Sequence, residues 1–74
     1  MQKPTVGRIV HYVSYGTPKG EFTSQHRAAI VTQVNADGTL SLAVLNPTGL
    51  FFDLAVMGDD TENQGGTWHW PEIV

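Results

Sequence analysis

"RAAIVTQVNADGTLSLAVL", residues 27–45, is the stretch on which the fold of this chain turns. In its first half Ala28, Ile30, Thr32 and Val34 alternate with Ala29, Val31 and Gln33, and in its second half Leu40, Leu42 and Val44 alternate cleanly with their neighbours. Alternation with period two and β-branched side chains is the mark of a strand. Between the halves lies "NADG", residues 35–38, where Gly38 suits a left-handed turn position. The segment reads as a β-hairpin closed by a short Asn/Asp/Gly turn.

Outward from the hairpin the same pattern continues. "GRIVHYV", residues 7–13, predicts a strand with Ile9, His11 and Val13 on one face and Val10 and Tyr12 on the other. It is followed by a long loop, "SYGTPKGEFTSQH", punctuated by Gly16, Pro18 and Gly20. After the hairpin, "NPTG" is a turn in which Pro47 presets φ and Gly49 can take a positive value. "LFFDLAV", residues 50–56, predicts a strand with Leu50, Phe52, Leu54 and Val56 facing one way. "MGDDTENQGG" reads as an exposed loop, and "TWHW" as a last strand stopped by Pro71, which cannot donate to a ladder. Five short strands, tight turns and one long early loop predict an all-β fold, a small five-stranded SH3-like antiparallel barrel with residues 1–74 as its single domain. An OB-type barrel would carry a helix where this chain has only "NPTG".

Seventy-four residues bury only about 60% of the surface the unfolded chain exposes, so stability is expected to be modest. With no cysteine, neither disulfides nor a thiolate zinc site can reinforce so small a core. Good packing or self-association must do so. The aromatic and apolar residues Phe51, Phe52, Trp68 and Trp70 exceed what one small core hides, which predicts a homo-oligomer. No apolar run approaches the roughly 18 to 20 residues of a membrane span, and the N-terminus lacks the apolar stretch of a signal peptide. Four basic residues against seven acidic ones argue against nucleic acid, whose binding depends on Lys and Arg at the phosphates. All four basic residues (Lys3, Arg8, Lys19, Arg27) fall within the first 27 positions, so complementary pairing inside the fold or a small cationic patch near the long loop is expected.

Catalytic motifs are absent from the chain. There is no G-x-S-x-G, no serine stands at a suggestive spacing from a histidine, and "GTPKGE" lacks the spacing and the following helix of a phosphate loop. Three histidines, His11, His26 and His69, invite a zinc reading, and His11 and His69 become cross-strand neighbours if the first and last strands pair. Ordinary half-exposed histidines are the expectation, with no metal or cofactor assigned. Trp68 and Trp70 project from one face of the last strand with His69 opposite. Trp70, held by Pro71, is expected to plug the barrel, while the glycines before Trp68 leave that ring at the rim.

Three segments, "GRIVHYVSYGTPKGEFTSQHRAAIVTQV", "DGTLSLAVLNPTG" and "GGTWHWPE", cover most of the chain and together resemble a set of small bacteriophage and prophage proteins. The resemblance brings no activity with it and implies a setting, that of a phage accessory protein in the host bacterial cytoplasm. Many such proteins counter host defence by binding host proteins or by sequestering nucleotide-derived signals. The expected function is therefore non-enzymatic binding of a small anionic, nucleotide-like ligand. Stacking would come from Tyr15, Trp68 or Trp70, charge from Lys19, Arg27 or Arg8, and hydrogen bonds from His26, Asn46 and Thr48. The rival expectations are a module that binds and inhibits a host protein through Phe51, Trp68 and Tyr15, and a minor virion component.

Overall fold

The computed structural model describes residues 3–15 and 25–71. Five strands, β1 (Ile9–Val13), β2 (His26–Val34), β3 (Leu40–Asn46), β4 (Gly49–Gly58) and β5 (Thr67–His69), follow one another round a closed barrel. Four neighbouring pairs are antiparallel, and β4 with β5 is parallel, through Met57↔Thr67 and Gly58↔Trp68. The barrel is thus mixed rather than antiparallel throughout. Its strand count is the reason: strand direction cannot alternate all the way round a ring of five, so at least one pair must run parallel.

The β2–β3 hairpin turns where its sequence predicts. Gly38 has φ 90°, its N–H donates to the Asn35 carbonyl at 3.1 Å, and the Asn35 N–H donates to Thr39 O at 2.9 Å. The Asp37 carboxylate accepts from the Thr39 N–H at 3.0 Å and hydroxyl at 2.7 Å, bonds that lower its pKa. Gly49, by contrast, does not take a positive φ. Asn46 pairs directly with Gly49, so the bend is made by Pro47 and Thr48.

Two register shifts decide which side chains enter the barrel. On β2 the pairing steps from Val31↔Leu42 to Gln33↔Ser41, and on β4 it steps from Asp53↔Leu42 to Val56↔Leu40. Leu54 and Ala55 therefore stand together opposite Ser41, a bulge that reverses the inward and outward phase of β4. Val56 is buried, while Leu50, Phe52 and Leu54, expected on the same face as Val56, point outward. The bulged Leu54 carbonyl is satisfied by side chains instead of a ladder partner. It accepts the buried Ser41 hydroxyl at 2.7 Å and the Asn35 amide at 3.1 Å.

The core comprises Val10, Tyr12, Ala29, Val31, Leu40, Leu42, Val44, Val56 and Trp68, with Trp70 packed against it. The two tryptophans are placed opposite to expectation: Trp68 is 8% exposed and Trp70 only half-buried. Trp68 is cross-strand from Tyr12, and its ring lies against Gly58, where a Cβ would come within 3.2 Å of it. Trp70 falls past the end of β5, so no ladder draws it inward. Its ring meets Trp68 edge-on at 5.5 Å and lies under the Arg8 guanidinium at 5.0 Å. The β4–β5 connection is folded around Asp59, whose carboxylate accepts N–H bonds from Glu62, Gln64 and Thr61. These backbone bonds hold its pKa low.

Candidate functional site

Paired residues in a sheet place their side chains on a common face, and neighbours along a strand alternate between faces. Tyr12 enters the main core cluster, so His11 and Val13 belong to the opposite face of β1, where Val13 is itself buried. His11 pairs with His69 on one flank and Ala28 on the other, and Val13 pairs with His26. The outer side of β5–β1–β2 thereby gathers all three histidines of the chain. Ring centroids lie 5.4 Å apart for His11 and His69, 4.8 Å for His26 and His69, and 6.2 Å for His11 and His26. One ligand nitrogen from each falls within 4.8 Å of the others. His69 is buried, His11 half-buried and His26 exposed, so the cluster opens to solvent on the His26 side. The cross-strand pairing of His11 with His69 follows the sequence reading. The sequence puts His26 in or beside the long loop, whereas in the structure it begins β2. The register signal that reveals it is the sum of paired numbers: Ile9↔Ile30 extends to Val13↔His26, one diagonal step from His11.

The residues nominated for a small ligand divide between the two ends of the barrel. His26, Arg27, Asn46 and Thr48 lie where β1 ends, β2 begins and β3 turns into β4, with Tyr15 beyond β1 at the same end. Tyr15 is 71% exposed and its ring covers Gly65 and Gly66, so the glycines before Trp68 make room for tyrosine. Arg27 pairs with Tyr12, and its Nε is sealed from solvent with no hydrogen-bond partner among the described residues. The Tyr12 pKa is pushed up to about 12 by burial and by the Asp53 carboxylate, which also accepts a hydrogen bond from its hydroxyl. Phe51 meets the Tyr12 ring edge-on at 5.8 Å. Trp68 belongs to the core, and Trp70 with Arg8 lies toward the start of β1, away from this group. Lys19 and most of the expected cationic patch lie outside the described residues.

The larger feature is one the alternation of β4 concealed. Register links Ile9, Ile30, Ala43 and Phe52 in a row across β1–β2–β3–β4, and Ala28, Leu45 and Leu50 in the next row. Ile9, Ile30, Leu45, Leu50, Phe52 and Leu54 are all exposed, Phe52 at 67% and Leu54 at 73%. A sheet face carrying this many large apolar side chains is the usual mark of an interaction surface.

Fold and site define a closed five-stranded mixed β-barrel with an apolar outer face and a histidine cluster beside it. No helix among the described residues is long and apolar enough to cross a membrane. No family model, no curated protein and no solved structure matches the chain.

Proposed function

We propose that the protein is a non-enzymatic, SH3-like binding module that works through the outer face of β2–β3–β4, first by pairing with a second copy of itself. The observation that carries this reading is the exposed apolar rows ending in Leu50, Phe52 and Leu54. A chain of 74 residues gains little from its interior alone, and covering such a face supplies burial that the single core lacks. Dimers are the commonest closed assembly, and a face that meets its own copy is self-complementary in apolar character. The test is light scattering of the parent and of a Phe52→Lys, Leu54→Lys double variant, both positions pointing away from the core. The parent should have about twice the chain mass, and the variant should be a folded monomer. A monomeric parent at micromolar concentration overturns the reading.

A second reading, a small anionic, nucleotide-like ligand, is favoured by Arg27. Its Nε has no hydrogen-bond partner among the described residues, and Arg27 lies at the end of the barrel that carries exposed Tyr15 and the Asn46–Thr48 turn. In the setting the phage resemblance implies, such a ligand would be a host defence signal held out of circulation in the bacterial cytoplasm. Native mass spectrometry of protein purified from bacteria tests this reading. Retained small-molecule mass that Arg27→Gln abolishes supports it, and the bare chain mass alone counts against it.

A further inference from the structure

We propose that His11, His26 and His69 form a binding site for a divalent transition metal, with zinc as the best fit. Three strands contribute one imidazole each, and register fixes two of them: His11 faces His69 directly, and His26 is held one diagonal step away by its pairing with Val13. The cluster is therefore built by the barrel's ladder rather than by a chance meeting of loops. Its ligand atoms lie within 4.8 Å of one another, against about 3.3 Å for two nitrogens on a tetrahedral zinc with bonds near 2.0–2.1 Å. Closing that gap takes rotation about side-chain bonds, for which exposed His26 has room, while buried His69 and half-buried His11 are already held by the sheet.

The donor set selects the metal. Neutral imidazoles suit zinc, copper, nickel and cobalt, whereas calcium and magnesium take oxygen ligands, and no carboxylate joins this group among the described residues. Three protein ligands leave a fourth tetrahedral position for water or for an anion. The solvent-facing His26 side places that position at the surface. The bound ion would also add a local positive centre to a chain of net charge −3.

The experiment is titration of the tag-free full chain, freed of metal by chelation, with Co²⁺ and then Zn²⁺. The expected result is one Co²⁺ per chain, with the intense visible absorption of a tetrahedral or five-coordinate nitrogen site, displaced by one equivalent of Zn²⁺. His26→Gln changes an exposed residue, so it should unfold like the metal-free parent. It should lose more affinity than the roughly 10–100-fold that removal of a merely supporting residue costs. Zinc should raise the Tm of the parent and leave that of the variant unmoved. Absence of saturable binding to the parent overturns the proposal, as does a His26→Gln chain that binds Co²⁺ as the parent does. Because the readouts are stoichiometry, absorption and Tm of the chain itself, they are independent of the oligomeric state and of any organic ligand.

Discussion

At the scale of single residues, the two tryptophans separate by where the last strand ends. Trp68 lies within β5 and packs on Gly58 and the core, so Trp68→Ala removes a large buried ring and should cost about 3–5 kcal/mol. Trp70 lies past the strand with part of its ring under Arg8, and Trp70→Ala should cost clearly less. Urea denaturation of both variants measures the order, and a Trp70 variant that is the less stable of the two would contradict the packing described. Tyr12 makes a second prediction at this scale. Its folded pKa, raised from 10.0 to about 12, means that the native state keeps a proton the unfolded state has lost. Its contribution is therefore fully present below pH 10 and declines as pH rises from 10 toward 12. Tyr12→Phe should flatten stability across that window, and tyrosinate absorbance should show one of the two tyrosines titrating late.

At the scale of elements, the β2–β3 hairpin rests on one backbone conformation and β4 on one irregularity. Gly38 at φ 90° is in a region that β-branched residues rarely enter, although open space surrounds it. Gly38→Val should therefore cost roughly 1 kcal/mol or more through strain alone, measured by chemical denaturation, and a Gly38→Asn control of comparable exposure should cost less. The hairpin was legible in residues 27–45 because alternation and turn chemistry are both local. The bulge was not. "LFFDLAV" alternates without a break, and only the pairing of Leu40 with Val56 and Leu42 with Asp53 shows that the phase slips at Leu54. The polar residues that stabilise the slip, Ser41 and Asn35, are 13 and 19 positions away in the chain.

At the scale of the whole molecule, the proposed pairing through the outer apolar face would couple folding to association. A dimer that buries Phe52 and Leu54 should melt at a temperature that rises with protein concentration, because the folded monomer is withdrawn into the complex. Calorimetry across a hundredfold dilution should show that rise for the parent and none for the Phe52→Lys, Leu54→Lys variant. A concentration-independent parent Tm would place the stability of the chain in its single core instead.

What the sequence by itself determined was local: five strands near their observed bounds, the turn at Gly38, a second turn over residues 46–49, and the chance that His11 meets His69. These follow from φ preferences and from a period of two, which neighbouring residues impose on one another. Tertiary structure alone decided the parallel β4–β5 pair, the outward turn of Leu50, Phe52 and Leu54, the burial of Trp68 ahead of Trp70, and the arrival of His26 beside the other histidines. Each depends on register between strands distant in the chain, and a shift of one residue in a ladder exchanges inside for outside.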